Sequence, residues 1–251
     1  MALVPLAGAV VITPVWRSAG RTVRGKTRTR NEDAFLDCPQ RGCWAVADGM
    51  GGHQAGDLAS QWVVNDLAAL PMLGCFEQRI DSVLRCLRAL DSRLGHTAVQ
   101  PGEGRTGIMG STVVALLLQG NRAACIWAGD SRCYLWRGTR LYQLSRDHSL
   151  LQQLMDKQHL SLEQARAHPD ARALTRAIGA QQPLSLEVLE LSVRPGDVFL
   201  LCSDGLYQGL SHGQLGQAMA ERTPSQVVER LIREVLRGPA QDDLTAVVVR
   251  P

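Results

Sequence analysis

The sequence has no apolar run long enough to cross a membrane. Its first residues match a secretion signal poorly. No stretch reaches the ~20 apolar residues that a membrane-spanning helix needs. Residues 1–16 are apolar, but no Lys or Arg precedes them, they contain two prolines, and a basic run follows. We therefore expect a cytoplasmic protein that does not bind membranes.

Cysteine is present without a pairing pattern. The seven cysteines are an odd number, none forms a C-x-x-C pair, and most lie inside apolar runs. Disulfide frameworks and thiolate metal sites show regular spacings instead. The pattern predicts free, mostly buried thiols in a reducing compartment.

The chain also lacks a strong charge imbalance, internal repeats and linkers. Its net charge of +3 and pI near 8.6 are too weak to indicate nucleic-acid binding. A chain of 251 residues is long enough for one well-cored domain. We predict a monomer with one domain over residues 16–251. Residues 1–15 are a lead-in that is either disordered or an extra edge strand.

Several catalytic signatures are missing. Ser203 has no G-x-S-x-G context and no evident triad partners, which argues against a serine hydrolase. No glycine-rich stretch ends in Gly-Lys-Ser/Thr, which argues against a P-loop NTPase. No cysteine is followed by Arg in a C-x5-R loop, so a thiol-based phosphatase does not fit either.

What the chain does contain is a series of aspartates beside apolar runs. The run 43–47 ends in Asp48 and then in glycines, as a buried strand does where a ligand approaches the backbone closely. The other aspartates of this kind are Asp33 before 34–36, Asp130 after 123–128, Asp204 after 198–202, and Asp242 and Asp243 before 244–249.

These aspartates predict a metal site if the fold gathers them. One such aspartate is more often a turn or cap residue. Several together would repel and raise each other's pKa, and divalent cations remove that repulsion. Oxygen ligands without clustered His or Cys favour Mg²⁺ or Mn²⁺. Two such ions would hold a hydroxide in line with a phosphoryl group, which is metal-assisted phosphate hydrolysis.

Basic residues fill every second position over 24–30, and an extended chain would place them on one face. That face is either a solvated edge that prevents strand aggregation or an anion-binding surface. Its position just before Asp33 favours anion binding, with Arg28 gripping a phosphate group or neutralising developing charge.

Apolar spacing predicts helices from Gly56 to before Pro71 and over 77–94. Two short helices are predicted within 150–163, in a segment that is either a mobile flap beside the site or packing against the sheet. Further helices are predicted over 211–221 and 224–236. The predicted strands begin at residue 16 and cover 111–118, 122–130, 133–136, 141–144, 184–193, 198–202 and 244–249.

Eight motifs follow each other along the chain. They are R-x-x-N-E-D-A at 28–34, ADGMGGH at 47–53, GST at 110–112, GDSR at 129–132, DHS at 147–149, LTRAIG at 174–179, CSDGL at 202–206 and DDLT at 242–245. In order and spacing they resemble the metal-dependent Ser/Thr protein phosphatases of type 2C, especially the bacterial branch. The resemblance extends from about residue 16 to 250.

This resemblance implies an α+β fold, the α-β-β-α sandwich of two antiparallel sheets flanked by helices. It also implies a centre of two Mn²⁺ or Mg²⁺ ions bridged by Asp48. The other implied ligands are the Gly49 carbonyl, Asp33, Asp204 and Asp242. Asp130 is implied to hold a third, weaker ion together with Asp204.

The resemblance assigns further roles. Arg28 matches the phosphate-binding arginine, and Glu32 is implied to reach a metal ion through water. Met50 stands where eukaryotic relatives have His, so the proton donor is left open; His53 is either that donor or a solvated residue near the site. Asp243 stands where many relatives have Asn, and its added negative charge would shift metal affinity.

We therefore expect a phosphatase that hydrolyses phosphoserine and phosphothreonine in protein substrates through attack by the metal-bridging hydroxide. A bacterial Ser/Thr kinase is the expected counterpart, and 150–172 corresponds to the variable flap of the family. Two alternatives are a catalytically silent phosphoprotein-binding regulator of the same fold and a hydrolase of other phosphate esters.

Overall fold

A computed structural model describes residues 16–51, 55–97, 109–180 and 184–251. The predicted lead-in over 1–15 lies outside these ranges. Within them, no helix has both the length and the apolar character needed to span a bilayer. The seven cysteines all fall inside the described ranges and are free thiols.

Groups of strands and groups of helices follow each other along the chain. Between β2 and β3 lies one 3-10 turn, Pro39–Arg41. In chain order the elements are β1 (Arg17–Val23), β2 (Asp33–Cys38), β3 (Cys43–Met50), α1 (Ala55–Ala69), α2 (Phe76–Thr97), β4 (Gly110–Ser111), β5 (Val113–Gln119), β6 (Arg122–Ala128), β7 (Arg132–Arg137), β8 (Arg140–Gln143), α3 (Leu150–Gln158), α4 (Leu162–Arg166), β9 (Glu187–Ser192), β10 (Val198–Cys202), α5 (Asp204–Gln208), α6 (His212–Met219), α7 (Pro224–Leu236) and β11 (Leu244–Arg250).

The strands form two antiparallel sheets. The first has the order β1-β11-β10-β7-β8, and the second has the order β2-β3-β5-β6-β9, with β4 paired to the end of β3. The hairpin between β5 and β6 turns at Gly120, whose φ of 59° is left-handed. The pairing of β1 with β11 brings the two ends of the described chain together.

The two sheets pack face to face, and helices cover their outer faces. Trp44, Val114 and Leu116 of the second sheet meet Phe199 and Val247 of the first in one buried cluster. Helices α1 and α2 cover the second sheet, and α5, α6 and α7 cover the first. The expected α-β-β-α sandwich is confirmed.

The extended arrangement predicted for residues 24–30 is wrong. Strand β1 ends at Val23, and the chain then turns because the Arg28 N–H bonds to the Gly25 carbonyl at 3.2 Å and the Lys26 N–H bonds to the Ala240 carbonyl at 2.8 Å. The four basic side chains therefore share no face. Arg24 bonds to the Thr29 carbonyl, Lys26 to the Leu236 and Gly238 carbonyls, Arg28 to Asp242, and Arg30 to Asp57.

The two short helices predicted in and around 150–163 are confirmed as α3 and α4, although α4 extends to Arg166. Both are capped at their N-termini by serines, Ser149 and Ser161, whose side chains accept backbone N–H groups. The short helix α5 was not predicted. It has five residues, which is too short to show an apolar period.

Candidate active site

Asp33 and Asp48 lie opposite each other on neighbouring strands. Asp33 opens β2 and Asp48 is near the end of β3, and the register pairs them directly. Opposite residues of an antiparallel pair project from the same face of the sheet. The sheet therefore holds these two carboxylates close together.

Asp33 also links the two sheets. One of its carboxylate oxygens accepts the Ser203 hydroxyl at 2.7 Å and the Thr245 hydroxyl at 2.6 Å. Ser203 follows β10 and Thr245 lies in β11, both in the first sheet. The Asp33 side chain is 5% exposed, so these bonds satisfy a buried carboxylate.

The backbone of Asp48 is held by the GST motif. Thr112 accepts the Asp48 N–H on its hydroxyl at 3.0 Å and donates its own N–H to the Asp48 carbonyl at 2.8 Å. The Ser111 hydroxyl bonds to the same carbonyl at 3.1 Å. These contacts fix the strand end at which the Asp48 carboxylate projects.

Gly49 lies where two segments come very close. Its N–H donates to the Glu32 carbonyl at 3.0 Å, and a Cβ at this position would collide with the carbonyl of Gly56 at the start of α1. A side chain could not be accommodated without moving that backbone. This close approach explains the glycine directly after Asp48.

Asp130, Asp204 and Asp242 join the same cluster from different elements. Asp130 lies between β6 and β7, Asp204 opens α5, and Asp242 precedes β11. Asp204 lies within hydrogen-bonding reach of Asp48, and all three raise the pKa of Asp48 through their charge. The structure thus brings together the five aspartates that the resemblance assigned to metal ions.

The close packing of these carboxylates raises the pKa values of the aspartates. Burial, followed by Asp33, Asp204, Asp130 and Asp242, raises the pKa of Asp48 well above its usual range. Burial raises the pKa of Asp33 to about 7, although the Thr245 and Ser203 hydroxyls lower it.

Asp130 and Asp204 are shifted in the same direction. Burial and then the charge of Asp204 raise the pKa of Asp130 to about 8. Burial and Asp242 also raise the pKa of Asp204, whereas Asp48, the Gly205 N–H and the charge of Arg172 act in the opposite direction. Without cations, this cluster disfavours its own ionised form.

The donor set fits hard divalent cations. All the clustered side chains offer oxygen, and their mutual repulsion is what bound cations would relieve. In the described part of the chain, no three His, Cys, Asp or Glu side chains form a ready-made metal cage. Mg²⁺ usually keeps several waters and binds through one or two carboxylates, so a cage of protein ligands is not required.

Arg28 reaches the rim of the cluster. One guanidinium nitrogen lies 2.6 and 2.7 Å from the two carboxylate oxygens of Asp242, and the side chain is 43% exposed. This hydrogen bond is the largest cause that raises the pKa of Arg28. The guanidinium therefore lies beside the carboxylates with its outer edge facing solvent.

Asp243 holds the loop that carries Arg28. Its two carboxylate oxygens accept the Gly25 N–H and the Glu32 N–H, each at 2.8 Å. It is 3% exposed. Glu32 packs against Gly56, and burial raises the pKa of its carboxyl group. The metal-related roles predicted for these two acidic residues stay predictions.

The GDSR and DHS motifs are joined by an ion pair and hydrogen bonds. Arg132 bonds through two nitrogens to both carboxylate oxygens of Asp147, at 2.8 and 2.6 Å. The His148 ring accepts the Gly129 N–H on Nδ1 at 3.1 Å, and the backbone N–H of His148 donates to the Gly129 carbonyl at 2.9 Å. These bonds fix the turn that presents Asp130.

Several supporting residues were not assigned by sequence reasoning. They are Ser111, Thr112, Asp147, His148, Ser203 and Thr245. The available signal was their position within the quoted motifs, next to the aspartates. His53 lies outside the described residues, so its role stays a prediction.

Comparisons with known proteins identify the family of this chain. A family profile described as protein phosphatase 2C matches residues 22–247. The chain is 36% identical over 241 residues to the Serine/threonine protein phosphatase PstP of Mycobacterium tuberculosis, covering 94% of this chain and 45% of the relative. It thus spans about half the length of that relative. It is also 30% identical to the Serine/threonine phosphatase stp of Listeria monocytogenes, covering 91% of this chain and 93% of the relative.

Solved structures show the same fold. PppA, described as a key regulatory component of T6SS in Pseudomonas aeruginosa, has a TM-score of 0.86 and 40% identity, with 95% of this chain and 98% of that chain covered. The PstP catalytic domain in complex with two manganese ions has a TM-score of 0.79 and 33% identity, with 94% and 98% covered. The chain belongs to the protein phosphatase 2C family.

Proposed function

We propose that this chain is a metal-dependent phosphatase that hydrolyses phosphoserine and phosphothreonine in proteins. The observation that carries the proposal is the convergence of Asp48 with Asp33, Asp204 and Asp242 from two different sheets, with Arg28 at the rim. Relatives named Ser/Thr phosphatases support the substrate class.

In this proposal, two Mn²⁺ or Mg²⁺ ions would be held by Asp33, Asp48, the Gly49 carbonyl, Asp204 and Asp242. Asp130 and Asp204 would hold a third, weaker ion. When bound, such ions supply Lewis acidity toward the phosphate and lower the pKa of water. The manganese complex of PstP supports the assignment of two ions.

Arg28 then binds the substrate phosphate. The guanidinium is bonded to Asp242 in this structure, and it would turn its donors to the phosphate oxygens of a bound substrate. Its planar fork can donate two parallel hydrogen bonds to a phosphate group. The free edge of this guanidinium supports that role.

The cellular setting is part of the proposal. We place the protein in the cytoplasm, as a monomer that acts on phosphoproteins and opposes a Ser/Thr kinase. Free and mostly buried thiols support a reducing compartment. Light scattering tests the monomer, and phosphoproteomics of a deletion strain identifies the proteins whose phosphorylation rises.

The decisive experiment measures hydrolysis of p-nitrophenyl phosphate and a phosphothreonine peptide with Mn²⁺. Chelation should abolish turnover, and Asp48→Asn should lower kcat/KM by more than about 100-fold, because a candidate metal ligand is lost. Arg28→Lys should raise KM about tenfold, because the fork is lost. Asp81→Asn, at an exposed position of α2, should behave as wild type.

The two alternative functions have different signatures. Turnover that survives chelation or Asp48→Asn contradicts the proposed mechanism. Tight binding of the phosphopeptide without turnover in the presence of Mn²⁺ indicates a silent regulator. Faster hydrolysis of nucleotides than of phosphopeptides indicates a hydrolase of other phosphate esters.

A further inference from the structure

A pocket of about 630 Å³ opens beside the carboxylate cluster. Asp130 of the cluster lines it, together with Arg166 and Arg172 from the segment that contains α3 and α4. Tyr207 of α5 lines it as well. The volume falls in the range of about 300 to 1,000 Å³ that is typical of ligand pockets.

Two charges of this pocket are already neutralised. Arg132 pairs through two nitrogens with Asp147, and its guanidinium stacks on the ring of Tyr207 at 3.7 Å. A guanidinium engaged by a carboxylate and a ring has little capacity left for a ligand. Arg132 and Asp147 therefore form a fixed part of the wall.

Arg166 and Arg172 are different. Within the described ranges, neither side chain makes a hydrogen bond or an ion pair, and both are exposed. Arg172 lines the same pocket as Asp130, and its charge lowers the pKa of Asp204 of the cluster. The pocket therefore contains two available cations.

The backbone holds Arg172 in place. The carbonyl of Ala171 accepts the Leu151 N–H and the carbonyl of Ala173 accepts the Leu150 N–H, each at 2.8 Å. These two bonds flank Arg172 and attach its chain to the start of α3. Arg166 closes α4, whose Ala165 is fully buried. The backbone is thus already ordered, so binding a ligand would have to order only the arginine side chains.

We infer that Arg166 and Arg172 form a subsite for a second acidic group of the protein substrate, close in sequence to the phosphorylated residue. The inference rests on the proposed function and names a substrate preference for it. The acidic group is a carboxylate or a second phosphate, since a guanidinium fork binds both. When the phosphoryl group of a substrate is bound at the aspartate cluster, the neighbouring substrate residues would lie at the mouth of this pocket.

The test compares phosphothreonine peptides that differ near the phosphorylated residue. One series carries Glu at successive flanking positions, a second carries phosphoserine there, and a third carries Gln. p-Nitrophenyl phosphate serves as the substrate without flanking residues. The wild-type protein should show a kcat/KM about fivefold higher for the best acidic peptide than for its Gln counterpart, mainly through KM.

The variants are Arg166→Gln, Arg172→Gln and the double variant. Each should reduce the preference for acidic peptides and leave p-nitrophenyl phosphate hydrolysis within about twofold of wild type. Arg88→Gln, at an exposed position of α2, is the matched control and should change neither. Arg172→Glu should transfer the preference to a peptide with Lys at the same position.

Each outcome decides a separate question. Equal kcat/KM for acidic and neutral peptides in the wild type overturns the subsite and leaves the proposed function intact. Equal losses on p-nitrophenyl phosphate and on acidic peptides also overturn it, because the arginines then act on the phosphate that is cleaved. Failure to hydrolyse any phosphopeptide with Mn²⁺ overturns the proposed function and the subsite together. Comparing the Glu and phosphoserine series identifies which acidic group is preferred.

Discussion

Arg132 and Asp147 form a two-bond ion pair whose carboxylate side is 8% exposed and whose guanidinium side is 23% exposed. Asp147→Asn would leave the guanidinium partly buried without its counter-charge. We expect the free energy of unfolding in urea to fall by about 2 kcal/mol, because breaking a desolvated pair costs more than breaking a surface pair. Glu229→Gln, which breaks the exposed pair with Arg21, should cost less than about 1 kcal/mol. Equal losses would contradict this assignment.

His148 should contribute stability through its neutral ring. Burial lowers the pKa of His148, although the bond to Glu187 opposes this, so the ring is uncharged at neutral pH and Nδ1 accepts the Gly129 N–H. His148→Phe keeps a ring there but removes this acceptor. We expect a loss of about 1 to 3 kcal/mol in urea unfolding. His212→Phe, at an exposed position, should change stability by less than about 0.5 kcal/mol.

Asp243 should not tolerate conversion to Asn. Both of its oxygens accept backbone N–H groups, and an amide offers only one oxygen. Asp243→Asn should destabilise the metal-free protein by about 1 to 3 kcal/mol and loosen the loop that carries Arg28. Hydrogen exchange at Gly25 and Glu32 would report the loosening. Unchanged protection at both amides would show that these bonds contribute little.

The stability of the chelated protein should fall as pH rises. Burial and neighbouring carboxylates raise the pKa of Asp33 to about 7 and of Asp130 to about 8, above the usual value of 3.8. The folded state therefore binds protons more tightly than the unfolded chain. This stabilisation is complete below the unfolded pKa, and it is lost between about pH 4 and pH 8.

Thermal unfolding with and without Mn²⁺ tests this prediction. The chelated protein should have a higher Tm at pH 5.5 than at pH 8, and Mn²⁺ at pH 8 should restore stability by binding only the folded state. Asp130→Asn should flatten the pH dependence of the chelated protein. A Tm that rises from pH 5.5 to pH 8 in the chelated wild type would contradict the raised pKa values.

Much of this architecture could be predicted from the sequence. Apolar runs that end in aspartates identified the strands and the clustered carboxylates, because burial on both faces produces such runs. Helices α1 and α7 followed from apolar spacing. The eight motifs supplied the sheet arrangement, which spacing alone would not have given.

Other features depended on contacts between distant segments. The period of two at 24–30 predicted a strand, but the carboxylate of Asp243, more than 200 positions away, bonds to this segment and helps to turn it. Arg172 is one of many exposed arginines in the sequence. Only the fold places it in the pocket that Asp130 also lines.

The candidate metal ligands are divided between the two sheets, with Asp33 and Asp48 on one and Asp204 and Asp242 adjoining the other. The affinity of the site for metal ions therefore depends on how tightly the two sheets pack against each other. Phe199 is completely buried between the sheets, and Phe199→Ala should weaken Mn²⁺ binding without altering any carboxylate. In an activity screen, a substitution of this kind would look like the loss of a metal ligand. Calorimetric titration with Mn²⁺, combined with unfolding measurements, would distinguish a loss of packing from the loss of a ligand.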